Sequence, residues 1–386
     1  MMRVIVTISL TLLLMPVGAR GQGLESRVAA LEAGRADVTV TCGAPNALGA
    51  VLAEHAGRSV PLFIRLVGVC VESVTISRDQ VILFGGPEDG VQAPAGASNA
   101  ITVLGGRVSV VGLSIQAQND AIVVSRGGSV SARNLAVTVG HNGIAIQGGS
   151  AEILNSTIDQ TMQTVLPGAG GVRVTAGTAV INGVTIRNFA AATGGQCGIC
   201  ADGSSVTVRN STIEGNNLGI NASGSYLNLF GTVVRAGGGT GIELASSSLT
   251  VFGGAISDNA QGMLMIASYA TFSGATDPPV IEANAGPGIR ARLNSVVRLD
   301  LVTIRGNGGA MQLSDGSVVF TMRGPGTPTI QITANQRGVI CLGSPGVGGF
   351  GYISSFGGGA FDLDATNVFG NGPLGPNISC PGIFVP

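Results

Sequence analysis

The feature that most constrains this chain is a repeat of about 21 residues that returns along most of its length. Each unit opens with a small residue followed by an apolar one, and insertions lengthen some units by a few residues. Self-similarity at this period is typical of stacked-repeat proteins. The opening pairs are Ala121-Ile122, Gly143-Ile144, Gly171-Val172, Gly198-Ile199, Gly219-Ile220, Gly241-Ile242, Gly262-Met263, Gly288-Ile289, Gly309-Ala310 and Gly338-Val339.

The units are built from strands. Between Gly198 and Asn217, three short runs alternate apolar and polar residues and are separated by Gly, Asn and Ser. Three short strands per unit predict one coil of a right-handed parallel β-helix, in which each coil pairs with the next at about 4.8 Å. We therefore predict an all-β, single-stranded right-handed parallel β-helix, a solenoid of about 12 coils.

The composition agrees with this fold and excludes several functions. Only 11% of residues are charged and 63 are Gly, as expected if half of every strand faces a core and tight corners recur. The net charge of −1 argues against a nucleic-acid partner. All basic residues are Arg, which excludes a P-loop lysine and a Lys Schiff base. We predict no cofactor.

The N-terminus indicates export. Met1-Met2-Arg3, an apolar run and Val17-Gly18-Ala19 predict a signal peptide over 1–19, and no later stretch is apolar enough to span a membrane. The protein is therefore expected to be secreted, periplasmic or on the cell surface. Residues 20–37 are expected to form a short helical stub and linker. The spacing of Leu24, Val28 and Leu31 predicts either a coiled coil that makes a homotrimer through Leu24–Ala33 or a solvated helix.

The β-helix is predicted over 38–340. Open ends of a solenoid expose apolar core and unpaired strand edges, so both ends need covers. An amphipathic helix over 46–55 is expected to cover the N-terminal end, with Leu48, Val51 and Leu52 on one face. Residues 341–386 are rich in Gly and lose the repeat, which predicts an irregular C-terminal cap.

Six cysteines in an exported chain suggest disulfides, although 15 pairings are formally allowed. Proximity along the repeat favours Cys42–Cys70, Cys197–Cys200 and Cys341–Cys380. The Cys197-Gly198-Ile199-Cys200 motif lacks the βαβ context of a redox centre. With only two His in the chain, a second ligand pair for zinc is missing, and we predict no metal site.

Short motifs at the corners carry a family resemblance. Val74-Thr75-Ile76, Asn155-Ser156-Thr157-Ile158, Asn210-Ser211-Thr212-Ile213 and the Gly-Ile pairs resemble exported bacterial proteins of the pectate-lyase-like β-helix superfamily, over about 38–340. The resemblance implies the fold. It leaves activity open, because that superfamily includes polysaccharide lyases, glycoside hydrolases, epimerases, tailspikes and adhesins.

One column of polar residues is the first candidate for chemistry. The third strand of each coil is expected to carry, at one equivalent outward position, Thr138, Asp159, Arg187, Glu214, Arg235, Ser257 and Arg305. One interpretation is a solvated ladder of ion pairs that also fixes register. The other makes Asp159 and Glu214 the carboxylate pair of an inverting glycosidase. Arg187 between them would hold both ionised, whereas an acid catalyst needs a proton.

The second candidate is His141, at a corner near Asp120 of the preceding coil. A His beside a carboxylate is a possible general base, although such a His is more often an exposed corner residue. The aromatic residues Phe189, Tyr226, Phe230, Phe252, Tyr269 and Phe272 are expected to lie mostly in the core.

No clear catalytic cluster emerges from the sequence. We therefore predict a secreted structural or interaction protein of the adhesin type, with polysaccharide as a possible partner. The alternative is a polysaccharide lyase or glycoside hydrolase acting on an extracellular polysaccharide, with Asp159, Glu214, Arg187 and His141 as its candidate catalytic residues.

Overall fold

A computed structural model describes residues 34–161, 168–190, 196–274, 277–321, 330–342, 352–355, 361–363 and 378–379. The chain winds through three parallel sheets and adds one strand to each sheet per coil. We name the sheets first, second and third in the order in which a repeat unit visits them. The sheets contain 13, 14 and 13 described strands, so the rod is about 60 Å long at about 4.8 Å per coil. The fold is the predicted parallel β-helix.

The strands of the three sheets are as follows. The first sheet contains β4 Val74–Ile76, β7 Asn99–Leu104, β10 Asp120–Ser125, β13 Ile144–Gln147, β16 Gly170–Thr175, β19 Cys197–Asp202, β22 Leu218–Ser223, β25 Thr240–Ala245, β28 Gln261–Ile266, β31 Pro287–Arg292, β34 Gly309–Ser314, β37 Val339–Leu342 and β40 Ile378–Ser379. The second contains β1 Ala36–Thr41, β2 Leu62–Val67, β5 Val81–Phe84, β8 Arg107–Val111, β11 Ser129–Arg133, β14 Ser150–Leu154, β17 Thr178–Asn182, β20 Ser205–Arg209, β23 Tyr226–Phe230, β26 Ser248–Phe252, β29 Tyr269–Ser273, β32 Val296–Leu299, β35 Val318–Thr321 and β38 Tyr352–Ser355. The third contains β3 Val69–Val71, β6 Gly90–Gln92, β9 Ser114–Ala117, β12 Ala136–Val139, β15 Thr157–Asp159, β18 Thr185–Arg187, β21 Thr212–Glu214, β24 Val233–Arg235, β27 Ala255–Ser257, β30 Val280–Glu282, β33 Val302–Arg305, β36 Ile330–Thr333 and β39 Phe361–Leu363.

The small residue that opens each unit has a steric cause. A Cβ atom on Gly143 would lie 2.3 Å from Ile158 Cγ2 and 2.5 Å from the Gly171 carbonyl oxygen. Gly171 is equally crowded in the next coil. The apolar residue after it points inward, where Ile144 pairs in register with Val172 and both are buried. The repeat therefore marks the tightest point of the coil beside the core.

One opening pair is shifted from its predicted position. Ile289 is in register with Met311, so Ala310 occupies the position of Gly288. The sequence favoured Gly309-Ala310, because Gly is the usual first residue of the pair. That assignment is wrong by one residue.

Two ladders of buried polar side chains link the corners of successive coils. Asparagine side chains accept from the backbone N–H and side-chain amide of the Asn one coil earlier, in the series Asn259, Asn284, Asn307 and Asn335. Serine hydroxyls accept from the backbone N–H of the Ser one coil earlier, in the series Ser204, Ser225, Ser247, Ser268, Ser295 and Ser317. These bonds satisfy buried groups that a tight corner would leave unpaired.

A helix covers the N-terminal end of the core. Helix α1 spans Ala47–Glu54 and buries Leu48 and Leu52. The N-cap residue Asn46, which precedes the helix, makes no side-chain capping bond. The carboxylate of Glu72 instead accepts from the backbone N–H groups of Leu48 and Gly49 at 2.9 and 2.8 Å. This places a negative charge at the positive end of the helix dipole.

The C-terminal strands continue the coil beyond residue 340. The strands β38, β39 and β40 pair in parallel with β35, β36 and β37. Most of the predicted cap over 341–386 lies outside the described residues, and the cap stays a prediction.

Two of the three expected disulfides are present, Cys42–Cys70 and Cys197–Cys200. The pair Cys341–Cys380 lies outside the described side chains. The signal peptide 1–19 and the segment Leu24–Ala33 lie outside the described residues as well. Among the residues that are described, none forms a helix of the length and apolarity needed to cross a membrane.

Candidate functional site

The predicted column of polar residues exists on the outer face of the third sheet. Asp159 is in register with Thr138 and Arg187, and the series continues through Glu214, Arg235 and Ser257. Glu282 comes next and is followed by Arg305. Alignment of the repeat units from the sequence missed Glu282. More residues separate Ser273 from Val280 than separate the corresponding strands of the neighbouring coils, and this shifts the position of the acid within its unit.

Each arginine of the column binds the acid of the preceding coil. The Nε atom of Arg187 lies 2.7 Å from Asp159 Oδ2, Arg235 lies 2.9 Å from Glu214, and Arg305 lies 2.6 Å from Glu282. The Asn188 side chain donates to the second oxygen of Asp159 at 2.7 Å. Both oxygens of Asp159 are therefore engaged, which argues against its use as a proton donor to a substrate. The structure brings Arg187 to Asp159 and pairs Glu214 with Arg235.

His141 and Asp120 do meet at the corner between the third and first sheets. Asp120 Oδ1 accepts from His141 Nδ1 at 2.7 Å, and also from the backbone N–H and side-chain amide of Asn142 at 3.1 and 2.8 Å. The amide orientation of Asn142 is fixed because its Oδ1 accepts from Gly170 N–H and from Arg173 Nε. With the proton on Nδ1, the Nε2 atom of His141 carries a lone pair, and this side chain is 26% exposed.

Arg173 and Gln160 complete this corner. Burial lowers the pKa of Arg173, and the negative charges of Asp120 and Asp202 partly offset that effect. Gln160 donates to the carbonyl of Gly140 at 3.1 Å, while its Oε1 atom is buried without a hydrogen-bond partner among the described residues. No three His, Cys, Asp or Glu side chains in the described ranges converge as a metal site would require.

A third arrangement lies on the outer face of the second sheet and was not anticipated. Asn228 is in register with Thr250 and Thr271, and these side chains point outward as a polar floor. Tyr226 and Tyr269 stand along one margin, and Phe230 and Phe252 stand along the other. We name this surface, made of these seven residues, the aromatic trough.

The two margins of the trough differ in structure. Phe230 and Phe252 stack with ring centroids 5.1 Å apart, and the Arg209 guanidinium lies 4.6 Å from the Phe230 centroid. Tyr226 is 68% exposed and Tyr269 is 40% exposed. An open groove of about 360 Å³ lies between these two tyrosines.

The expectation that most aromatic residues lie in the core is wrong for this group. Of the six residues named for the core, only Phe189 and Phe272 are fully buried. The aromatic residues of Tyr226–Phe230 are themselves apolar, which favoured burial, but Asn228 shares their face and was the one signal in this strand for an outward orientation. The neighbouring strand would have decided it, since Val206 and Val208 are in register with Leu227 and Leu229.

Comparison with known proteins agrees with this architecture. Residues 120–277 match the family described as "Right handed beta helix region". Together with the three parallel sheets, this makes the fold a right-handed parallel β-helix. No curated protein matches the chain.

Several solved structures are similar at low identity. The Dettilon tailspike protein gp208 is 13% identical, with 82% of this chain and 68% of that one covered and a TM-score of 0.47. The mannuronan C-5 epimerase AlgE4 A-module of Azotobacter vinelandii is 15% identical, with coverage of 86% and 94% and a TM-score of 0.46. An alginate lyase from a Paenibacillus species is 14% identical, with coverage of 84% and 99% and a TM-score of 0.38.

Proposed function

We propose that this protein is an exported β-helix that binds an extracellular polysaccharide in the aromatic trough. The observation that carries the proposal is the trough itself, in which exposed aromatic residues flank a floor of hydroxyl and amide groups. Exposed aromatic clusters on a soluble surface usually mark a binding site. The two disulfides support an oxidising compartment outside the cytoplasm.

The dimensions of the trough suit an extended chain. Tyr226 and Phe230 lie four residues apart on one strand, so the margins are about 13 Å apart at the backbone. The floor repeats at about 4.8 Å from one coil to the next. Asn228, Thr250 and Thr271 offer donors and acceptors for sugar hydroxyls, while the aromatic side chains offer apolar surface.

Binding to a panel of polysaccharides tests the proposal. We expect the mature protein to bind at least one polymer in affinity electrophoresis, and the double variant Tyr226→Ala/Tyr269→Ala to bind it at least tenfold more weakly. Val71→Ala is the matched control, because Val71 is 58% exposed on the third sheet and lies away from the trough. Equal loss in the control, or no polymer bound by the unaltered protein, would refute the proposal.

A second candidate function is cleavage of a polysaccharide, as a lyase or a glycoside hydrolase. The bond between His141 and Asp120 favours it, since an imidazole oriented by a carboxylate can act as a general base. The paired acids argue against Asp159 and Glu214 as its catalytic groups.

Product analysis on the same panel tests this second function. New reducing ends or unsaturated products are expected to vanish in His141→Ala and to persist in Asp159→Asn and Glu214→Gln. Activity that is lost in the two carboxylate variants but kept in His141→Ala would contradict the assignment to His141. No products from any polymer would remove the second function and leave the binding proposal intact.

A further inference from the structure

We propose that the groove between Tyr226 and Tyr269 is a subsite that holds one uncharged pyranose ring between the two phenol rings. Ser248, which lies between them, is the residue that keeps this subsite open. The inference rests on the proposed function, because it assigns one sugar unit of the bound polysaccharide to one place in the aromatic trough.

The register sets the spacing of the two tyrosines. Tyr226 is in register with Ser248, and Ser248 is in register with Tyr269 on the following strand. The two tyrosines therefore stand two coils apart, which is about 9.6 Å at the backbone. A sugar ring that contacts a tyrosine ring on each face needs about 7–8 Å between the two tyrosine rings, because this is twice the usual carbon–carbon contact distance. The gap accommodates one ring, and small inward tilts of the tyrosines close it.

The opposite margin of the trough shows why the serine matters. Phe230 and Phe252 occupy adjacent coils, and their rings stack directly on each other with an interplanar angle of 10°. Arg209 covers the other face of Phe230. Neither face of Phe230 is free for a ligand ring. On the tyrosine margin the small side chain of Ser248 separates the two rings, so their facing sides are not stacked on each other.

The lining of the groove indicates the chemistry of the ring. Ser248, Ser246 and Asn294 bring polar groups to it, and none of its lining residues carries a charge. Arg298 lies outside this lining; it is in register with Thr271 and pairs with Asp300 at 3.1 Å. A site with apolar walls and neutral polar groups at its base suits a pyranose that has hydroxyl groups and no carboxylate.

The variant Ser248→Tyr tests the subsite by filling it. Tyrosine is a good strand residue, and this outward position carries tyrosine in both neighbouring coils, so the fold should tolerate it. Cellohexaose, xylohexaose and mannohexaose serve as uncharged probes, and tri-galacturonic acid serves as the charged probe. Ser248→Thr is the matched control, because it keeps a small hydroxyl side chain.

Intrinsic fluorescence gives a direct readout, because the chain has no Trp and only three Tyr, two of which form the groove. We expect an uncharged probe to change tyrosine fluorescence in the unaltered protein and in Ser248→Thr. We expect Ser248→Tyr to bind at least tenfold more weakly while its circular dichroism and Tm stay unchanged.

The outcomes separate the subsite from the proposed function. Undiminished binding by Ser248→Tyr, together with loss in Tyr226→Ala/Tyr269→Ala, would overturn the subsite and leave polysaccharide binding in the trough standing. Tighter binding of tri-galacturonic acid than of every uncharged probe would overturn the assignment to an uncharged ring. Absence of any polysaccharide binding by the unaltered protein would refute the proposed function itself.

Discussion

Single buried asparagines hold one corner of this solenoid together, each through bonds that reach the neighbouring coils. Asn307 accepts from the backbone and side chain of Asn284, and it donates to Ile281 and Asn335. The sequence indicates that Asn and Ser collect at corners, which their tolerance of left-handed backbone explains for Asn155 and Asn210. The ladder adds a different reason, namely hydrogen bonding between coils.

Replacement of Asn307 by Ala should lower the free energy of unfolding by about 2–3 kcal/mol, since the buried donors of Asn284 lose their acceptor. Chemical denaturation measures the change. Asn228→Ala is the control, because Asn228 faces outward on β23, and its effect should stay within about 0.5 kcal/mol. Equal effects at the two positions would contradict the ladder.

The carboxylate of a single residue, Asp79, should make the stability of the fold depend on pH. Hydrogen bonds from the Arg107 side chain and backbone hold the pKa of Asp79 well below its usual range. The ionised carboxylate therefore stabilises the fold above the unfolded-state pKa of about 4, and this contribution is lost as the pH falls below that value. The stability difference between the unaltered protein and Asp79→Asn should be constant near neutral pH and shrink in acid. A difference that does not change with pH would contradict this account.

Ion pairs between strands fix the register of the third sheet, and each pair lies between adjacent strands. Arg235 binds Glu214 of β21 and Arg305 binds Glu282 of β30. Such half-exposed pairs contribute at most about 1 kcal/mol each, so their main effect is to oppose a shift of one coil.

Reversing the charge of Arg235 should show how much its pair with Glu214 contributes to stability. Arg235→Glu puts two carboxylates opposite each other and should lower stability by about 1 kcal/mol. The double variant Glu214→Arg/Arg235→Glu should recover part of the loss, because it restores an opposite-charge pair but brings a second guanidinium opposite Arg187. A double-mutant cycle measures the coupling between the two positions, and a coupling of zero would mean that the pair seen here does not contribute to stability.

Sequence patterns predicted most strands and the helix of the fold, but they did not predict which residues of other coils these elements contact. The alternation and the opening pairs located the coils, and amphipathicity located α1, because both depend on local periodicity. The capping of α1 by Glu72 could not be foreseen, because Glu72 is brought to the helix by a later coil. The one-residue error at Gly309 has the same cause, since only pairing with Ile289 decides it.

At the scale of the whole molecule, the rod offers two independent surfaces. The aromatic trough lies on the second sheet, and the His141–Asp120 corner lies between the third and first sheets. A solenoid permits this, because each coil contacts only its neighbours and every outer face repeats without disturbing the core.

The oligomeric state of the whole molecule is a further testable prediction. If Leu24–Ala33 forms a trimeric coiled coil, the mature protein should sediment as a trimer, and deletion of that segment should leave a folded monomer. The described strands begin at Ala36, after the segment, so the β-sheet signal in circular dichroism should not change on deletion. A monomer before deletion would refute trimerisation through Leu24–Ala33.

The sequence by itself determined the coil, its period and the columns of equivalent side chains. Equivalent positions in successive coils have the same steric environment, so they select similar residues in every unit. Only the tertiary structure decided which acid each arginine binds and which face carries the aromatic residues. Those outcomes depend on residues one coil away, at separations that insertions vary. In a strand such as Tyr226–Phe230, one face carries two Leu and the other carries two aromatic residues with Asn228 between them. Pairing with Val206 and Val208 resolves that choice.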